Sequence, residues 1–332
     1  MEENKETGKN EKVDKTKFLA AHSPHIWRGF SVKKVMYIVV IASLFPAAAS
    51  IYYFGFDAIY VILACTITAV LTEFVIKKLR KKKFVMDGSA VITGLLLALV
   101  LPPKIPIWMA VVGSAFGIAI AKEAFGGLGS NIFNPALAGR AFLAVCFPQQ
   151  MTTWTLPSFF GPDAVTGASP LGEGFVFAGD KIDLYKDIFF GNIAGSLGET
   201  SAFAILIGAI ILLAFRVIDW KIPVIYIATV ALGSFIFGSD VVFQIFSGGL
   251  MIGAFFMATD YATSPVTSNG RIIYAFCLGV LTVLIRQFSS LPEGVAFSIL
   301  IMNSFVPLID RYLRPKPFGY QKPKKAAGDS EK

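Results

Sequence analysis

Residues 35–54 read VMYIVVIASLFPAAASIYYF, and residues 58–77 read AIYVILACTITAVLTEFVIK. A helix needs about 20 predominantly apolar residues to cross the hydrocarbon core of a bilayer. Both stretches have that length and contain very few charged residues. The sequence therefore predicts two membrane-spanning helices close to its N-terminus.

The composition of the whole chain extends this prediction. The chain has 332 residues, of which 55% are hydrophobic and 16% are charged. In soluble domains about a quarter of the residues are charged, so this composition excludes a soluble globular enzyme. An aromatic content of 14% also excludes a disordered chain. The class that remains is an all-α polytopic membrane protein.

We predict ten transmembrane spans, which divide into two groups of five around a long loop. The spans are residues 35–54, 58–77, 88–103, 105–121, 131–147, 192–215, 222–238, 243–258, 272–289 and 294–310. The predicted regions are an N-terminal tail (1–34), a first transmembrane half (35–147), a loop (148–191), a second transmembrane half (192–310) and a C-terminal tail (311–332).

The distribution of positive charge predicts the orientation in the membrane. Of the 30 Lys and Arg residues, 25 lie on one predicted side, in the two tails, in the cluster at residues 77–83 and in the other loops of that side. Basic loops remain in the cytoplasm, so both termini are expected there, in a multi-pass protein of the cytoplasmic (inner) membrane. Because these charges flank spans instead of forming one basic groove, no nucleic-acid partner is expected.

Cysteine and histidine argue against a metal site built by this chain alone. Cys65, Cys146 and Cys277 each lie alone in an apolar run, whereas zinc and iron–sulfur sites require grouped ligands. The two histidines, His22 and His25, precede the first span. A single cysteine contributed to a site shared with another subunit stays open.

A weak internal repeat suggests that the two halves are related. KIPI at residues 104–107 resembles KIPV at 221–224, and the polar breaks at 126–131 and 260–265 follow at similar spacing. Chance similarity between apolar runs is the alternative. If the repeat is real, an odd number of spans in each half makes the halves inverted. Such folds place broken helices and binding sites near the membrane midplane.

The loop 148–191 contains the segment Asp163-Ala164-Val165-Thr166-Gly167-Ala168-Ser169-Pro170-Leu171. Taken alone, this combination of Gly, Pro and hydroxyl residues is typical of a turn. It also resembles the covalent-flavin motif of the RnfD/NqrB family, in which the last hydroxyl of Ser/Thr-Gly-Ala-Thr is esterified to the phosphate of FMN. The matching residue is Ser169, where the family usually has threonine. Thr166 is the second-choice hydroxyl.

The resemblance extends beyond this motif over most of residues 20–318, with RnfD as the more similar branch. It rests also on DGSAVITG at residues 87–94 with Leu101-Pro102-Pro103, on GGLG at 126–129 with Asn131 and Asn134-Pro135-Ala136, and on residues 249–260 and 294–297. It implies two inverted five-helix halves, similar to the fold of urea and ammonium channels. It also implies covalent FMN on the extracytoplasmic loop and a second, non-covalent flavin (riboflavin or FMN) in the membrane core.

By the same resemblance, Gly167 and Ala168 allow a flavin transferase to approach the backbone, and Asp163 helps recognition or orients the hydroxyl. For Asp163 a plain solvated loop acid is an equal alternative. Other membrane and peripheral subunits of the Rnf complex are the implied partners, with membrane lipid around the spans.

A second group of candidates consists of polar residues within or beside spans, where charge is costly unless it faces a cavity or a partner. These are Asp87, Lys122, Glu123, Asn131, Asn134, Arg140, Glu199 and Asp260. For the second flavin or its cavity we single out Lys122, Glu123, Asn131, Asn134 and Asp260. The alternatives are that Lys122 and Glu123 extend to the interface, that Asp260 lies in an ordinary loop and that the segment Glu199-Thr200-Ser201 caps the start of a helix.

The predicted function is a flavin-carrying subunit of an ion-translocating ferredoxin:NAD⁺ oxidoreductase, coupled to Na⁺ or H⁺ transport. No complete active site is expected in this chain, since it has no catalytic acid or base and no dinucleotide-binding fingerprint. A transporter or channel without a redox role is the alternative, and a membrane scaffold that has lost its flavin is a third possibility.

Overall fold

In a computed structural model, the described part of the chain comprises residues 31–157, 166–167, 180–289 and 294–314. Of the candidate flavin-loop residues, Asp163, Ala168 and Ser169 lie outside it, as do nearly all of the two predicted tails. The described helices belong to one unit that begins at Val32.

The first two helices confirm the two opening spans. Helix α1 covers Val32–Phe54 and helix α2 covers Phe56–Leu79. The turn between them is a single residue, Gly55, whose φ of 61° favours glycine. Both helices expose apolar side chains along most of their length, as expected of surfaces in contact with lipid or with other membrane proteins.

The rest of the first half consists of shorter helices. Helix α3 covers Ser89–Leu99, helix α4 covers Ile107–Phe116 and helix α5 covers Pro135–Cys146. Helix α4 continues directly into a π-helical segment, Gly117–Glu123. Such π-helical turns often occur at functional sites.

The predicted extracytoplasmic loop contains regular structure at both of its ends. A short helix α6, Pro148–Met151, is followed by strand β1, Trp154–Thr155. Strand β2, Thr166–Gly167, pairs with β1 in antiparallel fashion, with Trp154 opposite Gly167 and Thr155 opposite Thr166. Helix α7, Lys181–Phe190, precedes the second half.

The second half contains α8 (Ala202–Ala214), α9 (Lys221–Ile236), α10 (Val241–Phe246), α11 (Leu250–Ile252), α12 (Ser268–Phe288) and α13 (Gly294–Tyr312). Helix α11 continues into a second π-helical segment, Gly253–Met257.

Several helices are shorter than the spans predicted from sequence. Within the described ranges, four helices are long and apolar enough to cross a membrane, namely α1, α2, α12 and α13. The predicted span 192–215 is helical only from Ala202, and the span 88–103 only from Ser89 to Leu99. The span 243–258 is broken at Gly248 and Gly249, whose φ values are 66° and 69°. Ten crossings therefore stay a prediction.

The broken segments satisfy their backbone polar groups against each other. The N–H of Gly198 donates to the carbonyl of Leu99 (2.5 Å), and the N–H of Leu197 donates to the carbonyl of Leu101 (3.1 Å). Non-helical backbone at membrane depth requires such partners, because hydrocarbon offers none. An apolar sequence does not show where a helix ends and such backbone pairing begins. The predicted spans, which follow the apolar runs, therefore extend beyond the helices.

Helix packing relates the two halves. Helix α1 packs against α8, and α5 packs against α13. Within the halves, α2 packs against α4 as α9 packs against α12. The buried core that joins these helices is built mainly from Ala, Leu, Ile and Val, with Tyr226 and Tyr274 fully enclosed.

Candidate functional site

A cavity of about 90 Å³ lies among α1, α3, α5, α8 and the ends of both π-helical segments. Its wall contains four of the five polar residues singled out for a membrane-core site, namely Lys122, Asn131, Asn134 and Asp260. Its other walls are largely apolar and include Phe255 and Phe256. An apolar cavity with a few converging polar groups is the usual form of a cofactor site.

Lys122 is buried, with 2% of its surface exposed. Its ammonium group lies 2.9 Å from Glu73 Oε2 and donates to Ser89 Oγ at 2.6 Å. The alternative that this side chain extends to the membrane interface is therefore wrong. A buried ammonium needs a partner, and Glu73 on α2 supplies it.

Two further contacts extend this ion pair. Glu73, with 1% of its surface exposed, also pairs with Lys77 one helical turn along α2. On the other side, the hydroxyl of Ser89 donates to Asp87 Oδ1 at 2.6 Å, and the N–H of Ser89 donates to the same oxygen at 2.9 Å. Lys77, Glu73, Lys122, Ser89 and Asp87 thus form one connected polar network beside the cavity.

The carboxyl group of Asp87 lies in the loop before α3. Its partial burial raises the pKa, but the hydrogen bonds from Ser89 and the nearby charges of Lys122 and Lys77 outweigh burial and hold the pKa below its ordinary value. Asp87 is therefore ionised at neutral pH.

Glu123 is buried but does not line the cavity, which corrects its assignment to the cavity wall. Arg80 donates to its backbone carbonyl at 2.5 Å and lies 3.8 Å from its Oε2 atom. Its Oε1 atom makes no hydrogen bond to the described residues. The side chain lies beside Gly127, in the glycine-rich turn after the π-helical segment.

Asn134 occupies the start of a helix, as predicted. Its Oδ1 atom accepts hydrogen bonds from the N–H groups of Ala136 (3.0 Å) and Leu137 (3.4 Å), which makes it the N-cap of α5. Its amide nitrogen donates to the carbonyl of Met257 at 3.3 Å, across the boundary between the halves. Asn131, on the same wall, donates to the carbonyl of Phe133 at 3.1 Å.

Asp260 lies directly after the second π-helical segment, on the cavity wall. The hydroxyl of Thr263 donates to its Oδ2 atom at 3.2 Å. Asp260 lies in a polar turn, as the alternative of an ordinary loop expects. The same turn also forms part of the cavity wall. The two π-helical segments therefore bring Lys122 and Asp260 to one site from the two halves of the chain.

A second buried ion pair, between Arg140 and Glu199, lies at the ends of the broken helices. The two side chains are 3.9 Å apart at Nη1 and Oε1, and Arg140 donates to the carbonyl of Val100, after the end of α3, at 2.5 Å. The carboxylate of Glu199 lies beside Gly249, the residue that precedes α11. The segment Glu199-Thr200-Ser201 has the predicted capping role at a helix start, because Ser201 is the N-cap of α8 and its hydroxyl accepts a hydrogen bond from the N–H of Ala204.

The candidate flavin motif is described only at Thr166 and Gly167, which form strand β2. Pairing with Trp154 and Thr155 fixes the backbone of these two motif residues. Ser169 follows Gly167 by two positions in the sequence.

Among the described residues, no group of His, Cys, Asp and Glu is arranged to hold a metal ion. Cys65 is buried, Cys277 is partly buried and Cys146 is exposed, and all three are free thiols.

Sequence reasoning missed three members of the network, namely Lys77, Glu73 and Ser89, and it uses Lys77 only for its charge near a span end. Glu73 is a single acid within the otherwise apolar part of the second span, which is a usable signal for an intramembrane partner. Ser89 has no comparable signal, because buried serines are common in helices.

Curated relatives cover nearly the whole chain. The D subunit of the proton-translocating ferredoxin:NAD(+) oxidoreductase complex of Clostridium ljungdahlii is 45% identical, over 92% of this chain and 98% of the relative. The D subunit of the Na(+)-translocating ferredoxin:NAD(+) oxidoreductase complex of Acetobacterium woodii is 46% identical, over 92% of this chain and 96% of the relative. The D subunit of the ion-translocating oxidoreductase complex of Stutzerimonas stutzeri is 40% identical, over 87% and 92%.

The glycine-rich turn, the DGSAVITG segment and the cavity residues all lie within residues 19–319, which match the model of the NQR2, RnfD, RnfE family. With this match and with curated relatives above 30% identity across both chains, the protein belongs to the NQR2, RnfD, RnfE family.

Proposed function

We propose that this protein is the flavin-carrying membrane subunit of an ion-translocating ferredoxin:NAD⁺ oxidoreductase of the Rnf type. Family membership and the names of its relatives support the assignment to the complex. The observation that carries the membrane-core part is the cavity that unites Lys122, Asn131, Asn134 and Asp260. Other subunits of the complex supply the sites for ferredoxin and NAD⁺.

The first flavin is FMN, joined through its phosphate to the hydroxyl of Ser169 by a separate flavin transferase. A serine hydroxyl forms the same phosphoester as threonine. The backbone pairing of Thr166 and Gly167 with β1 supports this proposal, because it anchors the motif next to an ordered strand. The alternative attachment at Thr166 would place the phosphoester within that strand pair.

The second flavin, riboflavin or FMN, binds non-covalently in the cavity. When bound, the flavin accepts and passes on one or two electrons. Lys122 and the two asparagines orient its polar edge, Phe255 and Phe256 cover apolar surface, and burial excludes water. Glu123 has no contact role in this site.

We assign ten crossings in two inverted halves, with both termini in the cytoplasm and the flavin loop outside. The packing of α1 against α8 and of α5 against α13 supports this arrangement, since the two halves then meet through equivalent helices. Equivalence of α4 with α12 and of α2 with α9 fits the packing within each half. The similarity of KIPI (104–107) to KIPV (221–224) would instead make α4 equivalent to α9. This short repeat therefore disagrees with the equivalence of helices that the packing supports.

Covalent attachment is tested by in-gel flavin fluorescence after denaturing electrophoresis of protein made together with its transferase. The wild type and Thr166→Ala should fluoresce, and Ser169→Ala should not. Peptide mass spectrometry should place the FMN mass on the peptide that contains Ser169. Persistent fluorescence in Ser169→Ala would show that the attachment site is wrong, and a dark wild type would remove the covalent flavin altogether.

A transporter or channel is the second candidate, because broken helices and a polar cavity also suit a substrate path. Flux of small solutes into vesicles that contain the protein without its partner subunits would favour it. Absence of flux together with riboflavin binding to the purified chain would favour the redox role.

A further inference from the structure

We propose that Lys122, Ser89 and Asp87 form a proton-transfer path between the cavity and the loop that joins α2 to α3. This inference rests on the proposed flavin site, because it assigns to that site the route by which its protons are exchanged with the medium.

The geometry of the path is a chain of two short hydrogen bonds. Lys122 Nζ donates to Ser89 Oγ at 2.6 Å, and Ser89 Oγ donates to Asp87 Oδ1 at 2.6 Å. Lys122 and Ser89 both line the cavity, whereas Asp87 lies outside its wall and is partly exposed. The chain therefore begins at a group that a cavity ligand can reach and ends at a carboxylate that water can reach.

The direction of the donors defines the step. The hydroxyl proton of Ser89 passes to the carboxylate of Asp87 while one ammonium proton of Lys122 passes to Ser89 Oγ. Ser89 thereby regains its hydroxyl, Lys122 becomes a neutral amine, and Asp87 becomes a neutral acid that releases its proton to water. The amine then takes up a proton that the cavity ligand gives up on oxidation. The same steps in reverse deliver a proton when the ligand is reduced.

The charged and polar groups that face Lys122 come from several elements. From α2 it faces Glu73, which also pairs with Lys77, and from the segment after the second π helix it faces Asp260. The cavity residues of α1 are apolar, and those at the start of α5 are the neutral Asn131 and Asn134. When Lys122 is uncharged, Glu73 keeps its ion pair with Lys77. Asp87 is ionised at neutral pH, as a proton acceptor must be, because its pKa is lowered.

A purely structural role would have Asp87 and Ser89 only form the first turn of α3. The two roles differ in kinetics. The full-length chain would be loaded with riboflavin, reduced with one equivalent of dithionite so that no reductant remains, and mixed in a stopped-flow instrument with ferricyanide. Ferricyanide takes up the electrons of reduced riboflavin but not its protons. A pH-indicator dye in weak buffer then records proton release, and flavin absorbance records oxidation.

Once loaded with riboflavin, Ser89→Ala and Asp87→Asn are expected to release protons about 100-fold more slowly than the loaded wild type. The matched control is Ser114→Ala, which removes a buried serine hydroxyl that bonds the carbonyl of Cys65 at 2.7 Å and lies outside the cavity wall. Its proton release should equal that of the wild type.

Wild-type rates of proton release in both Ser89→Ala and Asp87→Asn, with riboflavin bound, would overturn the path and leave the flavin site intact. A wild-type chain that binds no riboflavin would overturn the flavin site, and the path with it. Slow release in Ser114→Ala as well would trace the effect to general disturbance of the helices and would also overturn the path.

Discussion

Lys122 illustrates how a single charged side chain can be retained inside a lipid-embedded bundle. Its ammonium group exchanges water for a carboxylate of α2 and a hydroxyl of α3, both within hydrogen-bonding distance. Removing one member of such a buried pair leaves the other uncompensated, which is more costly than removing both. Lys122 and Glu73 are therefore expected to depend on each other.

Lys122→Met should lower the free energy of unfolding by about 3 kcal/mol, because Glu73 then keeps only Lys77 as a partner. Thermal unfolding in detergent, followed by tryptophan fluorescence, measures the change. The double variant Glu73→Gln/Lys122→Met should recover part of the loss. Lys77→Met is the control and should cost less, since Lys77 is the more exposed partner of Glu73. Equal losses in the two lysine variants would contradict this account.

Asp219, in the turn between α8 and α9, provides a pH-dependent contribution to stability. Partial burial raises its pKa, but hydrogen bonds from Arg271 (2.7 Å) and from the N–H of Lys221 (3.1 Å) outweigh burial, so its pKa lies below the ordinary value. A carboxyl group with a lowered pKa stabilises the fold above its unfolded-state pKa of about 3.9. That contribution decreases as the pH falls through this value and is lost below the folded-state pKa.

We therefore expect the thermal stability of Asp219→Asn to be lower than that of the wild type at pH 6. The difference should shrink as the pH is lowered from about 5 to below 3. Asp183→Asn serves as the control, because Asp183 is exposed and its ion pair among the described residues is with the exposed Lys186. A difference between wild type and Asp219→Asn that stays constant over this pH range would refute the assignment.

Among the helices, α4 and α5 approach each other closely through glycine. A β-carbon at Gly139 would lie 2.6 Å from the carbonyl oxygen of Gly113, and one at Gly117 would lie 2.6 Å from the carbonyl oxygen of Pro135. Backbone cannot move aside as easily as a side chain. The close approach matters for function, because α4 carries the π-helical segment that ends at Lys122 and Glu123.

Gly139→Ala should separate α4 from α5 and lower the free energy of unfolding by about 1–3 kcal/mol, the usual cost of overpacking. Gly113→Ala is the matched control on the same interface, since its β-carbon would meet only the flexible end of Leu143, 2.5 Å away at Cδ1. The comparison uses thermal unfolding in detergent together with riboflavin titration. If Gly113→Ala destabilised the protein more than Gly139→Ala, the proposed backbone contact would be wrong.

The helices also show how far sequence prediction extends. Helices α1, α2, α12 and α13 coincide with predicted spans, because each is a long apolar run that stays helical throughout. The interrupted spans differ, since residues 99–101 and 197–198 satisfy their backbone by pairing across the halves. Pairing between segments about a hundred residues apart leaves no local pattern in the sequence.

For the molecule as a whole, the charge distribution predicts that the two tails and the cluster at residues 77–83 are cytoplasmic and that α7 is outside. In a background without Cys65, Cys146 and Cys277, Lys82→Cys should react with a membrane-impermeant maleimide only after the cells are opened. Lys186→Cys, on the exposed face of α7, should react in intact cells. The reverse labelling pattern would invert the topology and place the flavin loop in the cytoplasm.

The membrane class, the candidate FMN hydroxyl and the predicted orientation all follow from the amino-acid order, because composition, a short motif and charge bias are local properties. The same local information marks four cavity residues as polar groups too costly to leave facing lipid. Only the folded chain shows that these four share one wall, that Glu123 does not, and that Glu73 and Ser89 hold Lys122 from 49 and 33 positions away. The partner of a buried charge is chosen by proximity in the folded bundle, which a sequence pattern does not record.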